Sequence, residues 1–192
     1  MDNKRLAKHQ AFWQKENRSR LTAFRIGDYF MSRQFTAAHP LLTDGRKVEP
    51  EQLLVADFFD DYLRMYRETE EAGQDAFFTA TPFTGIPWME AIVGCPVYST
   101  KSSFIAKEIV SSLDQIDLQQ QFNQTWLDKY LEFTGALVEL SDGRFPVGQP
   151  IMRGPADILG TMMGQSAMVL ALYDSPEGVR KLLHNIAEMF LD

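Results

Sequence analysis

The most informative stretch of the chain spans residues 144 to 160 and reads Arg144-Phe145-Pro146-Val147-Gly148-Gln149-Pro150-Ile151-Met152-Arg153-Gly154-Pro155-Ala156-Asp157-Ile158-Leu159-Gly160. A short apolar run breaks at a Gly-Pro pair, and a helical pattern begins there. Proline suits the first helical position because the N–H group that it lacks would have no intrahelical partner. The stretch therefore predicts a strand that passes directly into a helix.

The same alternation of short apolar runs and helical patterns covers the rest of the chain. A further helix is expected from Asp174-Ser175-Pro176-Glu177 onward, where a capping residue precedes a proline. The apolar runs predict three parallel strands, at Thr22–Ile26, Ala76–Thr81 and Phe145–Gln149. The 3.6-residue spacing of apolar side chains predicts earlier helices at 6–17, 50–72, 87–93 and 117–137. This order predicts an α/β fold of right-handed βαβ units.

Two stretches resemble the uroporphyrinogen decarboxylase superfamily. The first is the strand, the Gly154-Pro155 helix and the following D-x-P-E-x-V-x-x-L-L helix that begins at Asp174. The second is a P-x-x-x-A-x-x-G-x-x-V stretch that begins at Pro87 and ends at Val97. Members of this superfamily are (β/α)8 barrels that decarboxylate a tetrapyrrole or move methyl groups to and from corrinoid and thiol partners. The resemblance implies that this chain forms the N-terminal portion of such a TIM barrel.

The length of 192 residues bears on how much of a barrel the chain could hold. A complete (β/α)8 barrel needs roughly 250 residues, and the last residues, Phe190 to Asp192, continue a helical pattern without a stop signal. We therefore expect residues 1–192 to be a single domain, the N-terminal part of a barrel truncated at its C-terminus. The alternative is a complete small α/β domain, which the length alone also allows.

Bulk composition argues against several classes of partner. The net charge of -7 and the pI near 5.0 argue against a nucleic-acid surface, which needs clustered Lys and Arg. The sequence contains no run of about 18 apolar residues, so no membrane span is predicted. It has no apolar segment near Met1, so no secretory signal is predicted. The single cysteine, Cys95, suits a reducing compartment. A cytoplasmic protein is expected.

The active site of a (β/α)8 barrel lies at the carboxyl ends of its strands. At the first strand, Arg25, Gly27 and Tyr29 are similar to the arginine-rich R-Q-A-G-R-Y signature of the decarboxylases, whose arginines bind substrate carboxylates. Asp28 replaces the second arginine, and an acidic residue there would repel a polycarboxylate substrate. The resemblance implies that Arg25 binds substrate, whereas the structural alternative is an ion pair between Arg25 and Asp28.

The other predicted strand ends supply four more candidate substrate-binding residues: Thr79, Thr81, Gln149 and Arg153. Together with Arg25 and the free N–H groups at the start of the Pro155 helix, they are expected to line an anion-accepting wall. Arginine suits this role because its planar fork holds a carboxylate at two points. In the structural alternative, Arg153 pairs with Asp157 and is not available to a ligand.

Several nearby residues have simpler interpretations. Glu90 is expected to be an exposed or capping charge, and Trp88 a core or lid aromatic, with stacking on a ring system as the alternative. Cys95 is expected to be a buried apolar residue and not a ligand or reactive thiol. The histidines lack the spacing of metal ligands, so no metal or cofactor is predicted in this segment. For a methyltransferase, the resemblance implies zinc in the missing C-terminal half.

These features lead to a main functional expectation and two alternatives. The main one is a uroporphyrinogen decarboxylase-like lyase of porphyrin biosynthesis that acts on a tetrapyrrole or a related carboxylated, anionic substrate. The first alternative, a corrinoid-dependent methyltransferase of the same superfamily, would have a corrinoid protein as its partner. The second alternative is a non-catalytic barrel that binds a small ligand. No catalytic residue is assigned by the sequence.

Overall fold

The computed structural model describes residues 3–16, 20–24, 27 and 31–190. Within these ranges α-helices dominate, and short 3-10 helices connect them. The α-helices are α1 Asn3–Trp13, α2 Phe59–Glu71, α3 Trp88–Ile92, α4 Leu118–Gln121, α5 Gln124–Ser141, α6 Pro155–Met163, α7 Gln165–Asp174 and α8 Pro176–Glu188. The 3-10 helices are Met31–Gln34, Thr36–Leu41, Pro50–Gln52, Val55–Phe58 and Leu113–Gln115.

A small antiparallel sheet lies among these helices. Its strands are β1 Lys47–Val48, β2 Val97–Ser99 and β3 Phe104–Ala106, with β2 in the middle. The hairpin between β2 and β3 closes at Thr100, whose N–H donates to the Ser103 carbonyl at 2.7 Å and whose hydroxyl accepts from the Ser103 N–H at 2.9 Å. Inward residues of the hairpin, such as Val97 and Phe104, are buried.

The predicted (β/α)8 barrel is wrong for the part of the chain that the structure describes. The predicted strands at 76–81 and 145–149 meet only in an isolated parallel bridge, Ala80 to Val147. Ala80 N–H donates to the Pro146 carbonyl at 3.0 Å, and Gly148 N–H donates to the Ala80 carbonyl at 2.8 Å. Pro146 and the prolines at 82 and 150 lack an N–H group, so they cannot extend a ladder of hydrogen bonds.

The prediction of a first strand at Thr22–Ile26 is also wrong for the residues that the structure describes. Residues 22–24 form no strand, and residues 25 and 26 lie outside the described residues. The Thr22 carbonyl accepts from the Asp75 N–H at 2.8 Å, and the Thr22 N–H donates to the Asp75 carboxylate at 2.7 Å. These hydrogen bonds occupy both backbone groups of Thr22, and no sheet begins there.

The helix predictions were more accurate in position than in extent. The helices at Pro155 and Pro176 are confirmed, and both begin at the proline. The predicted helix 50–72 instead starts with two 3-10 turns and becomes α-helical only at Phe59. The predicted helix 117–137 is interrupted before Gln124, because the Asn123 side chain accepts from the Trp126 N–H and so caps a new helix there.

Two buried apolar clusters make up the core, and α3 lies between them. The larger cluster includes Trp88, Ala91 and Ile92, which follow the i, i+3, i+4 spacing of one helix face. The second cluster includes Met89 and Val93 on the opposite face, packed with α6 and α8. Both clusters therefore pack against the same short helix, α3.

Candidate functional site

The candidate site is built on α3, a helix of five residues that are all buried. Pro87 precedes the helix, and the Trp88 indole N–H donates to the Phe83 carbonyl at 3.0 Å. A helix that is buried on every side has no solvent-facing stripe on which to place a charge. Even so, its third residue is Glu90.

Gly94 lets the chain turn sharply behind α3. Its φ is +94°, and a Cβ there would lie 2.3 Å from the Gln121 carbonyl oxygen in α4. We expect Gly94→Ala to destabilise the fold by more than the roughly 1–2 kcal/mol that the left-handed backbone alone costs, because a backbone oxygen must also move.

Gly143→Ala is the matched control for this substitution. Gly143 also has a positive φ, +70°, but a Cβ there would meet no described atom within 4 Å. Chemical denaturation of both variants measures the difference in the free energy of unfolding. Equal losses for the two alanine variants would show that the close approach of Gly94 to α4 does not matter.

The Glu90 carboxyl group is buried and faces Arg153. The Glu90 side chain is 1% exposed, the Arg153 side chain is 54% exposed, and Arg153 Nη1 lies 3.1 Å from Glu90 Oε1. The approach is not aligned as a hydrogen bond, and among the described residues Oε1 has no hydrogen-bond partner. Burying a carboxyl group is costly for the fold unless it is both paired and hydrogen-bonded, and this oxygen has the ion pair alone. This cost makes Glu90 a candidate for a functional role.

Burial raises the pKa of Glu90 because the charged form loses its hydration. The negative charge of Asp157 also raises this pKa, while the positive charge of Arg153 and the backbone N–H of Glu90 itself lower it. The net result is a carboxyl group that holds its proton more tightly than an ordinary glutamate. Such a group can serve as a proton donor.

Cys95 lies close behind Glu90 and is buried, as predicted. Its N–H donates to the Glu90 carbonyl at 2.8 Å. Burial, followed by the negative charge of Glu90, raises the pKa of the Cys95 thiol to about 12. The thiol is therefore protonated near neutral pH and is not an activated nucleophile.

A small polar cavity of about 130 Å³ opens beside Glu90. Its volume is below the roughly 300–1,000 Å³ of pockets that enclose drug-sized ligands, so it can hold only a small group. The lining combines polar and apolar residues from α3 and the segment before it, from the turn before β3 and the start of β3, and from the segment before α6: Thr84, Gly85, Ile86, Pro87, Glu90, Ser103, Phe104, Ile151 and Arg153.

The predicted anion-accepting wall is only partly assembled. Arg25 lies outside the described residues, so neither its substrate role nor its pairing with Asp28 can be placed. Thr79 is exposed, Thr81 is half-buried, and Gln149 is exposed. The methyl groups of both threonines lie beside Gly148, where a Cβ would be 3.2 Å and 3.9 Å from them.

Arg153 is the member of the described predicted set that lines the cavity. It pairs with Glu90 and not with Asp157, the partner in the structural alternative. The expectation that Glu90 is an exposed or capping charge was wrong. A signal was present in the sequence, because Glu90 is the single charge in the otherwise apolar run from Trp88 to Val93. The Trp88 prediction of a core aromatic is confirmed, since this residue is fully buried.

Comparisons with protein-family models, with curated proteins and with solved structures found no match for this chain. In the described part of the chain, no helix has both the length and the apolar character needed to span a membrane. The described His, Cys, Asp and Glu side chains form no group of three or more that could hold a metal ion. The zinc site that the resemblance implies for a methyltransferase stays a prediction.

Proposed function

We propose that the cavity beside Glu90 receives a carboxylate group of a small-molecule substrate, and that the chain takes part in its decarboxylation. The observation that carries this proposal is the buried Glu90 carboxyl group opposite the half-exposed Arg153 guanidinium at a polar cavity. The resemblance to the uroporphyrinogen decarboxylase superfamily supplies the reaction type. The cavity supplies the residues for it.

Arg153 is suited to hold the substrate carboxylate. Its guanidinium carries five N–H donors in a planar fork, and the side chain remains 54% exposed although its Nη1 lies 3.1 Å from Glu90 Oε1. An incoming carboxylate can accept from the donors that do not face Glu90. The same contact places the carboxylate next to the Glu90 carboxyl group.

Glu90 is suited to supply the proton that decarboxylation requires. The bond between the carboxylate carbon and its neighbouring carbon breaks, carbon dioxide leaves, and the electron pair stays on the neighbouring carbon. The protonated Glu90 carboxyl then transfers its proton to that carbon, and solvent returns a proton to Glu90. The raised pKa of Glu90 supports this role, because it favours the protonated form before the reaction.

The size of the cavity restricts what it can enclose. About 130 Å³ admits a carboxymethyl arm but not a tetrapyrrole ring. A ring would have to lie outside, near Ile151, whose side chain lines the cavity and is 73% exposed. A protonated pyrrole in that ring would stabilise the electron pair left after carbon dioxide departs.

Acetate is the simplest probe of the carboxylate position, because it is the carboxymethyl arm without its ring. We expect acetate to bind the wild-type chain, and we expect Arg153→Ala to weaken this binding by roughly 10- to 150-fold, the range for a hydrogen bond to a charged group. Arg153→Lys retains the charge without the planar fork, so its affinity for acetate should lie between those of wild type and Arg153→Ala. Titration followed by NMR chemical shifts measures each affinity.

Arg180→Ala is the control, since Arg180 is an exposed arginine that pairs with Glu177 elsewhere on the surface. It should leave acetate binding unchanged. The reaction itself is tested by incubating the chain with uroporphyrinogen and measuring released carbon dioxide. Acetate binding that is equal in wild type and Arg153→Ala would rule out the proposed carboxylate position.

A further inference from the structure

α7 is an apolar helix that lies on the surface. Within Gln165–Asp174 the one charged residue is Asp174, at the last position, and the apolar side chains are not confined to one side of the helix. No residue of α7 is buried. A helix that is apolar all round is normally buried. α7 therefore presents apolar surface that the described part of the chain does not cover.

The two faces of α7 have different surroundings. Its inner face packs against the second core cluster and consists of three residues: Ala167, Met168 and Ala171. Its outer face consists of four residues at the i, i+3, i+4 and i+7 spacing of one helix side: Ser166, Val169, Leu170 and Tyr173. The three large members of the outer face are more than half exposed, and Tyr173 is 83% exposed.

The outer face has a hollow at one end and a projection at the other. A shallow groove of about 420 Å³ is lined by Gln165, Ser166, Val169 and Leu170. Its volume falls in the range of pockets that enclose drug-sized ligands, so an aromatic side chain fits into it. Tyr173, near the opposite end of the helix, extends into solvent.

We propose that the outer face of α7 is the contact surface of a homodimer, in which the α7 helices of two copies pack antiparallel. A two-fold axis between Val169 and Leu170 places Ser166 of one copy opposite Tyr173 of the other, because both residues lie three and a half positions from that axis. Each Tyr173 ring then fills the groove at Ser166 of the other copy. A two-fold interface requires a surface that is complementary to itself in this way.

The size of this surface predicts a weak dimer. The exposed area of the outer face, together with that of the neighbouring Leu172, is roughly 500 Å² per copy. Two copies would bury roughly 1,000 Å², the lower limit for a specific interface, whereas a stable complex buries about 1,600 Å². We therefore expect a dissociation constant in the micromolar range.

Sedimentation equilibrium measures the association. We expect the average mass of wild type to rise from 21.9 kDa toward twice that value between low-micromolar and near-millimolar concentrations. Tyr173→Ala should weaken the dimer by about 30-fold or more, because each dimer loses two buried aromatic side chains. Leu131→Ala is the control, since Leu131 is an exposed apolar residue of α5. Both substituted side chains are exposed, so both variants should keep the wild-type midpoint of thermal unfolding.

Cross-linking tests the antiparallel register. Ser166→Cys and Tyr173→Cys are made as separate variants, one with a mass tag, and mixed in air with copper phenanthroline as oxidant. We expect a disulfide in the mixture, because these positions lie opposite each other. Each variant alone should form none, because identical positions lie about 10 Å apart along the helix and a disulfide joins Cα atoms at most about 7 Å apart. The native Cys95 is buried and does not compete.

A dimer that Tyr173→Ala weakens and Leu131→Ala does not, with a disulfide formed in the mixture alone, supports the inference. A wild-type chain that stays monomeric throughout the series would overturn it and leave the outer face to a different protein chain. So would a dimer that Tyr173→Ala leaves intact, or equal cross-linking by the mixture and by each variant alone. Acetate binding should not change in these variants, because α7 contributes no residue to the cavity beside Glu90.

Discussion

Trp88→Ala is expected to lower the free energy of unfolding by about 3–5 kcal/mol, the usual cost of removing a large buried aromatic side chain. Trp88 is fully buried, and its ring lies 5.5 Å from the Tyr130 ring and 5.9 Å from the Trp126 ring, measured between centroids. The substitution removes these contacts together with the indole hydrogen bond to the Phe83 carbonyl. Urea denaturation measures the loss.

Trp13→Ala is the matched control, because the Trp13 side chain is 76% exposed in α1. It should change the free energy of unfolding by less than about 0.5 kcal/mol, as is usual for surface substitutions. Trp88→Ala should also weaken acetate binding, since Trp88 anchors the helix that carries Glu90. A loss below about 1 kcal/mol in Trp88→Ala would contradict the central place of α3 in the core.

The sequence predicted the positions at which helices begin more reliably than the way the elements assemble. Pro155 and Pro176 mark helix starts through a local property, the absence of an N–H group, and both starts were correct. The run 76–81 has strand composition, but pairing depends on donors in distant segments. Pro146 offers only a carbonyl to that pairing, so a single bridge forms in place of a barrel strand.

The antiparallel sheet shows the same limit. No strand was predicted at the β2 segment Val97–Ser99, and nothing in three residues specifies that they pair with Lys47–Val48 and Phe104–Ala106. Such pairings are long-range and depend on which apolar faces meet. Local periodicity does not encode that information.

For the site, Arg153 could be singled out because it directly precedes a Gly-Pro helix start. Glu90 was predicted to be exposed, because charged residues are mostly exposed in proteins, and the apolar run around it was the one sign of its burial. Its burial follows from the packing of α3 against two apolar clusters at once.

Glu90→Gln is expected to reduce the proposed decarboxylation by about 10²- to 10⁴-fold, the usual contribution of a positioned general acid. Glutamine has the size of glutamate and can accept and donate hydrogen bonds, but it cannot deliver a proton. The fold should therefore persist while turnover falls. Release of carbon dioxide from uroporphyrinogen by wild type and variant measures the effect, and equal rates would exclude Glu90 as the proton donor.

The same variant should change how stability depends on pH. The pKa of Glu90 is raised in the folded protein, so the folded state binds this proton more tightly than the unfolded state. Stability from this group is complete below about pH 4.3, the ordinary pKa of glutamate, and is lost as pH rises through the folded pKa. Glu90→Gln should remove this loss, so the variant should gain stability relative to wild type as pH rises.

The most direct test of the site is an NMR titration of the Glu90 side-chain carboxyl carbon, labelled with carbon-13 and assigned by comparison with Glu90→Gln. Without ligand, its midpoint should lie above the ordinary glutamate range, because the group is buried. Saturating acetate should raise the midpoint further, since a second negative charge then lies beside Arg153. A midpoint in the ordinary range that acetate does not move would contradict a proton-holding Glu90 at a carboxylate site.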